Sequence, residues 1–228
     1  MTNPDQIIVY SLSYLLFFAA LLLSKCRRGN RLFDDLGVVS NPGMLLMLHI
    51  AGIVLLGSIP VCLFGRRLPE IVLGKNPSVD LSILVSGFFV ITTLLIAPMV
   101  AEKKFGLMKR SKLRIDAFAP GFVANYFILR ILFLFAYEVW FRGYFLTDCI
   151  TSWGIAIGIA VNVALYVLLH SVNGKEEMRS CVPLGLLLCL LCTWTGAAWP
   201  AIAIHLALAI SYEAHLVKKI NNRSISLL

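Results

Sequence analysis

The chain has 228 residues, of which 59% are hydrophobic and 14% are charged, and its mean hydropathy is +0.86. Soluble domains hold about 45–50% apolar and about 25% charged residues, so this composition excludes an ordinary soluble domain and indicates an integral membrane protein. The formal net charge of +8 does not indicate a nucleic-acid partner, because the basic residues lie at the ends of apolar runs; we expect the lipid bilayer to be the surroundings.

Continuous apolar runs predict helices, because every backbone polar group in the membrane must pair within the protein. About 20 apolar residues cross the hydrocarbon core. Seven runs approach that length and cover residues 7–24, 44–64, 81–100, 118–136, 153–171, 181–197 and 199–217. The predicted fold class is an all-α polytopic transmembrane helical bundle of about seven spans. Apolar residues continue after the fourth run through Leu146, so one long tilted helix, a re-entrant piece or an eighth crossing remain open there.

Basic residues predict the orientation of the spans. Fifteen lysines and arginines follow runs one, three, five and seven, and only Arg66, Arg67 and Lys75 lie in the alternate loops. This asymmetry predicts an N-terminus outside, a C-terminus in the cytoplasm and an odd number of spans. We expect the plasma (inner) membrane to be the location.

Ionisable side chains at bilayer depth are costly and are functional candidates by default. They are His49, Arg130, Glu138, Arg142, Asp148, His170, His205, Glu213 and His215. We expect an interfacial position for His49, and Glu213 and His215 to extend toward a cytoplasmic end. Glu138 and Arg142 are four residues apart and should pair on one helix face. His170 and His205 fit either a helix–helix hydrogen bond or a functional site.

Three segments resemble the motifs of the CPBP (Abi, CAAX-protease-and-bacteriocin-processing) family of membrane proteins. Residues 136–143, AYEVWFRG, resemble its E-E-x-x-x-R-G motif. Residues 166–170, YVLLH, resemble F-x-x-x-H, and residues 199–209, WPAIAIHLALA, resemble W-P-x-x-x-x-H-x-x-x-N/D. The resemblance covers about residues 115–217. It implies a single membrane domain in which residues 115–228 form the motif-bearing core and residues 1–114 supply three N-terminal helices and loops.

The resemblance implies an intramembrane peptidase, as in the type II CAAX prenyl proteases, although some members of the family are regulatory scaffolds. In the protease mechanism the first Glu and the second-motif His activate water, and the final His and Asn steady the oxyanion. This chain matches Glu138, Arg142, His170 and His205, with Tyr166 in place of Phe. It departs from the pattern at two of the four catalytic positions, where Tyr137 replaces the first Glu and Ala209 replaces the last Asn or Asp.

These two replacements remove the general base and the oxyanion donor that the resemblance leads us to expect. Tyrosine, with a reference pKa of about 10, is a poor general base at neutral pH, and losing general-base help costs roughly 10²–10⁴ in rate. Ala209 has no side-chain donor, and losing an oxyanion donor costs on the order of 10²–10³. Two histidines without a carboxylate fall short of the three protein ligands usual for catalytic zinc, so we expect no metal and no cofactor.

Three interpretations follow. The first is a catalytically impaired pseudoprotease that binds a partner membrane protein or peptide. The second is an active glutamate/histidine intramembrane endopeptidase of CAAX-protease type, with Glu138, His170 and His205 as its catalytic residues; Arg142, Tyr137, Tyr166 and Ala209 then have structural roles. It requires a helix distortion near Gly143 that turns Glu138 from Arg142 toward the cavity. The third is a small transporter or a subunit of a larger membrane complex.

Overall fold

A computed structural model describes residues 4–34, 37–38, 41–64, 68–74, 81–107 and 120–225. The helices are α1 (Pro4–Cys26), α2 (Pro42–Gly52), α3 (Ile59–Phe64), α4 (Leu68–Leu73), α5 (Leu81–Leu107), α6 (Pro120–Glu138), α7 (Leu146–Trp153), α8 (Ile155–Ser171), α9 (Lys175–Thr195) and α10 (Trp199–Ile225). Two π-helical segments, π1 (Ile53–Ser58) and π2 (Val139–Phe145), continue α2 into α3 and α6 into α7. A two-residue antiparallel pair, β1 (Phe33–Asp34) and β2 (Gly37–Val38), lies between α1 and α2.

The predicted all-α membrane bundle is confirmed. Six helices of the described chain are long and apolar enough to span a membrane: Asp5–Cys26, Pro42–Phe64, Leu81–Gly106, Gly121–Trp153, Lys175–Thr195 and Trp199–Asn222. The seventh apolar helix, Ile155–Ser171, is shorter. Each of the seven predicted runs therefore corresponds to one apolar helix.

The fourth span continues well beyond its predicted end. It runs for 33 residues from Gly121 to Trp153, which is about 50 Å at 1.5 Å per residue. The apolar residues after Ala136 therefore belong to this helix, and no further crossing begins there. Gly154 then turns the chain with φ of 82°, a value that glycine adopts without steric cost. A Cβ on Gly158 would lie 2.8 Å from the Ile150 backbone nitrogen, so glycine allows α8 to return closely along α7.

The ends that the charge pattern assigns to one compartment meet on one face of the bundle. Leu32 and Phe33, which follow α1, belong to a buried cluster that contains residues from the C-terminal part of α5 and from α10. On the same face, Glu102 of α5 pairs with Lys219 and His215 of α10 at 2.9 Å each. We call this side the basic face. Chain ends that follow runs one, three and seven thus lie on the same side of the fold.

The first helix is held to the motif-bearing helices by buried polar contacts. The Tyr10 hydroxyl donates to Asp148 of α7 at 2.6 Å, and the Trp140 indole N–H donates to Ser13 at 3.0 Å. The Tyr14 hydroxyl donates to the Leu165 carbonyl of α8 at 2.9 Å. Because hydrogen bonds within a bilayer are not exchanged for bonds to water, these contacts fix α1 against π2, α7 and α8.

Candidate functional site

The first motif lies where the helix widens. Residues 139–145 form π2, and such single-turn widenings occur frequently at functional sites. The Asn162 side chain of α8 donates to the Phe141 carbonyl at 2.7 Å and accepts from the Cys189 thiol at 3.2 Å. One buried amide therefore links π2, α8 and α9, and it pairs a carbonyl that the widened turn presents.

Gly143 is required by close packing on the other side of π2. A Cβ at this position would lie 2.3 Å from Cγ2 of Ile71, a separation that side chains do not tolerate. Helix α4, which carries Ile71, is also bonded to the turn between α9 and α10, since the Ala198 N–H donates to the Ile71 carbonyl at 3.0 Å. Glycine in the first motif thus lets α4 approach the widened helix.

Glu138 is enclosed at the centre of the bundle. Its Oε1 atom lies 2.5 Å from Nδ1 of His205 on α10, and its Oε2 atom lies 3.5 Å from Nε of Arg142. The Glu138 and Arg142 side chains are fully buried, and that of His205 is 10% exposed. The pairing predicted from the four-residue spacing of Glu138 and Arg142 is present, and His205 is a second partner that the spacing did not predict.

Arg142 is further held by aromatic rings. Its Cζ atom lies 4.4 Å from the centroid of Tyr166 and 5.4 Å from that of Phe141, so both rings stabilise the buried cation through their faces. Among the described residues, its Nη1 and Nη2 atoms have no nitrogen or oxygen acceptor. A Cβ on Gly185 of α9 would lie 3.0 Å from the Tyr166 ring. Helix α9 therefore closes tightly over the Tyr166–Arg142 stack.

Tyr137 stands where the resemblance places the first carboxylate. Its side chain is 4% exposed, and its ring packs on Phe141 with centroids 4.6 Å apart. Its ring centroid is 6.0 Å from that of His205 and 6.1 Å from that of Tyr166. The hydroxyl is buried without a hydrogen-bond partner in the described part of the chain. It is a donor, and it adds no negative charge to the site.

Both motif histidines lie near the ring of Tyr166. The His170 ring centroid is 4.5 Å from that of Tyr166, and the His205 ring centroid is 6.4 Å from it. Nδ1 of His170 lies 2.9 Å from the Tyr166 carbonyl of its own helix. Because a carbonyl only accepts, Nδ1 carries the proton of a neutral His170 ring. The Tyr166 ring therefore contacts both histidines.

A second polar contact joins the same two helices closer to the basic face. Arg130 of α6 pairs with Glu213 of α10 at 2.9 Å, and the Tyr126 hydroxyl donates to Glu213 at 2.9 Å. His49 is 3% exposed and packs edge-on against Tyr126, with ring centroids 5.4 Å apart. His49 and Glu213 therefore lie in a buried network rather than at an interface or a snorkelling position, because Arg130 offers Glu213 a partner within the bundle.

These two contacts have matching spacing. Arg130 precedes Glu138 by eight residues on α6, and His205 precedes Glu213 by eight residues on α10, which is about 12 Å on each helix. In antiparallel helices such equal spacing places two polar contacts in register. The sequence contains this equal spacing, which could have predicted both contacts between α6 and α10.

The stretch of α10 between the two contacts is partly exposed. Every residue from Leu206 to Tyr212 is partly exposed, whereas buried residues precede and follow this stretch. Ala209 lies at its middle, where the third motif has Asn or Asp. Alanine at this position supplies no side-chain hydrogen-bond donor.

The chemistry of the site follows from these positions. Glu138 is a carboxylate held by two partners, His205 is its neighbour, and His170 lies across the Tyr166 ring. Among the described residues, no group of three or more His, Cys, Asp or Glu side chains is arranged to hold a metal ion. All six cysteines are free, and Cys189 and Cys192 are buried as expected for small apolar residues.

Comparison with known families identifies the segment that carries the site. Residues 119–211 match the family model of the Rce1-like type II CAAX prenyl endopeptidases. The match contains all three motifs and confirms the resemblance drawn from them. No curated protein and no solved structure matches the chain.

Proposed function

We propose, from the premise that residues 119–211 of this integral membrane protein are Rce1-like, that it is a catalytically impaired relative of the CAAX prenyl endopeptidases. In this proposal it binds a lipid-modified peptide or a segment of a partner membrane protein without cutting it. Residues 115–228 form the binding core, and residues 1–114 support it. The basic face meets the cytoplasm at the plasma (inner) membrane, because 15 lysines and arginines follow the odd-numbered runs.

The observation that carries the proposal is the enclosure of Glu138. A general base must reach the proton that it removes, directly or through one water. Both oxygens of Glu138 face partners, with Nδ1 of His205 at 2.5 Å and Nε of Arg142 at 3.5 Å. Moving the carboxylate would leave the buried Arg142 cation uncompensated, which is strongly unfavourable. The position of Glu138 therefore favours a structural role in the bundle over a role in activating water.

Tyr137 and Ala209 support the same conclusion. The neighbouring position offers a buried phenol in place of a carboxylate. Ala209 offers no donor to a developing oxyanion, and each such donor contributes on the order of 10²–10³ in rate. The site retains a partly exposed surface on α10, two histidines and a Tyr137 hydroxyl that has no hydrogen-bond partner among the described residues. These features favour binding over hydrolysis.

Binding and cleavage can be separated in one experiment. The purified protein is placed in vesicles with a farnesylated peptide that ends in a CAAX sequence and carries a photoreactive group. We expect crosslinking to the protein, weakened by Ala209→Trp, which places a large side chain on the partly exposed stretch of α10, and unaffected by Gly87→Ala, where a Cβ meets nothing within 4 Å. We expect no cleavage product that depends on His170. Cleavage by the unaltered chain that disappears in His170→Ala would refute the proposal.

A second candidate is an active peptidase that uses Glu138 with His170 and His205. It is favoured by the short contact between Glu138 and His205, because a carboxylate at Nδ1 leaves Nε2 of the imidazole as a base. The widened turn π2 lies at Gly143, where this interpretation expects a helix distortion, but Glu138 still faces Arg142 at 3.5 Å and would have to leave it during the reaction. If a demonstrated cleavage persists unchanged in Glu138→Gln, this candidate fails.

A further inference from the structure

The helix that carries the first motif holds a second arginine in different surroundings. Between residues 120 and 153 the chain contains two basic side chains, Arg130 and Arg142. The Arg142 side chain is fully buried, whereas that of Arg130 is 22% exposed. A ligand that meets this part of the bundle therefore finds its accessible cation at Arg130.

The contact with Glu213 does not use all the donors of Arg130. Nη2 of Arg130 lies 2.9 Å from Oε1 of Glu213, and Oε2 of Glu213 accepts from the Tyr126 hydroxyl at 2.9 Å. Nε of Arg130 has no hydrogen-bond partner in the described part of the chain. A guanidinium carries five N–H donors, and its planar fork is suited to binding a carboxylate through two of them. Arg130 can therefore hold a further carboxylate beside Glu213 or in its place.

Ring contacts join Arg130 to the candidate site. Its Cζ atom lies 5.9 Å from the centroid of Phe133. The Phe133 ring centroid is 5.7 Å from that of Tyr137, which is in turn 6.0 Å from that of His205. Arg130 and the contact between Glu138 and His205 therefore belong to one continuous cluster of side chains.

The spacing along α6 fits the length of a CAAX tail. In a CAAX sequence three residues follow the lipid-modified cysteine, and an extended chain covers about 10 Å in three residues. The eight residues from Arg130 to Glu138 cover about 12 Å of helix. The stretch of α10 from Leu206 to Tyr212, between the two polar contacts, is partly exposed. A peptide whose cysteine lies beside Glu138 would place its terminal carboxylate beside Arg130.

The position of Arg130 relative to the basic face also suits a charged chain end. Tyr126, one turn before Arg130, is buried in the cluster that contains Leu32 and Phe33 at that face. Arg130 therefore lies on the basic-face side of Glu138. A charge within a bilayer is costly unless it is paired or close to water, and a carboxylate at Arg130 gains a partner on the side that is nearer to water.

We infer that Arg130 recognises the free C-terminal carboxylate of the peptide that the site binds. Glu213 holds the guanidinium in place before the peptide arrives and competes with the peptide for it. This inference rests on the proposed function and deepens it, because it assigns the group that selects a chain end over an internal segment of a partner protein.

The test compares two ligands that differ only at the terminus. One is the photoreactive farnesylated CAAX peptide with its free carboxylate, and the other is the same peptide with a C-terminal amide. Each is titrated against the protein in vesicles, and the crosslinked fraction gives an apparent Kd. The double variant Arg130→Met, Glu213→Gln lacks the cation, and Glu213→Gln is its matched control, which keeps the cation. A general loss of folded protein affects both peptides equally and does not alter the ratio of their affinities.

We expect the unaltered chain to bind the carboxylate peptide about tenfold more tightly than the amide peptide. Glu213→Gln should increase this preference, because the competing carboxylate is gone, and the double variant should bind both peptides equally. Equal binding of the two peptides by the unaltered chain, or a preference that persists in the double variant, would overturn the inference and leave the proposed function standing. Absence of crosslinking with either peptide would refute the proposed function and the inference with it.

Discussion

Oε1 of Glu138 lies 2.5 Å from Nδ1 of His205, across the contact between α6 and α10. The other oxygen of Glu138 faces Arg142 one turn along the same helix. The three side chains form a buried cation–carboxylate–imidazole arrangement that joins the first motif to the third. Its stability depends on keeping the two opposite charges together, because an isolated charge in this setting is strongly unfavourable.

Glu138→Gln should be severely destabilising, because it leaves the Arg142 guanidinium buried without a counter-charge. Breaking a buried pair in this way costs about 3–5 kcal/mol, which thermal unfolding in detergent would detect. Glu102→Gln is the matched control, since Glu102 also pairs with a histidine and a lysine but is exposed. A loss no larger than that of the control would show that Arg142 does not need Glu138.

Removing the Tyr137 hydroxyl should be neutral or stabilising. The hydroxyl is buried without a partner among the described residues, so Tyr137→Phe removes a desolvated group and no hydrogen bond. Tyr14→Phe is the comparison, because that hydroxyl donates to the Leu165 carbonyl at 2.9 Å, and its loss should cost about 1 kcal/mol. If Tyr137→Phe lowers the unfolding temperature as much as Tyr14→Phe does, the Tyr137 hydroxyl has a partner after all.

Gly143→Ala should destabilise the protein by about 1–3 kcal/mol through overpacking, because the new methyl group would meet Cγ2 of Ile71 at 2.3 Å. Ile71→Ala in the same chain should recover part of the loss. Gly87→Ala is the control, since a Cβ there meets nothing within 4 Å, and it should stabilise α5 by about 0.5–1 kcal/mol. Equal effects of the two alanine substitutions would contradict the close approach of α4.

The contact between Arg130 and Glu213 should behave as a coupled pair. Arg130→Met and Glu213→Gln each leave one charge unpaired and should each cost about 3 kcal/mol or more. The double variant removes both charges and leaves Tyr126 an acceptor, so its loss should be clearly smaller than the sum of the single losses. Strict additivity in the unfolding measurements would mean that the two side chains do not interact.

The sequence predicts much of this fold because membrane helices are specified by local composition. Seven apolar runs correspond to seven apolar helices, and the four-residue spacing of Glu138 and Arg142 correctly predicts their pairing. The ends of the runs are less well predicted, since the fourth helix continues to Trp153 through π2. Composition does not predict a widened turn, nor the hydrogen bond that Asn162 of another helix donates to it.

Contacts between helices that are distant in the sequence could not be predicted from local spacing. The spacing of Glu138 and Arg142 does not predict a contact with His205, because His205 reaches Glu138 only when α10 packs against α6. For the same reason His49 and Glu213 were expected near interfaces, whereas Arg130 and Tyr126 hold Glu213 within the bundle. The position of a buried ionisable residue depends on its partner, and here that partner is distant in the sequence.

In the proposed function, Tyr137 and Ala209 prevent hydrolysis at an otherwise Rce1-like site. The most direct measurement is cleavage of a farnesylated CAAX peptide in vesicles by the unaltered chain and by the double variant Tyr137→Glu, Ala209→Asn, each with and without His170→Ala. We expect no His170-dependent product from the unaltered chain and a clear His170-dependent product from the double variant. A His170-dependent product from the unaltered chain, at a rate that the double variant does not increase, would contradict the proposed function.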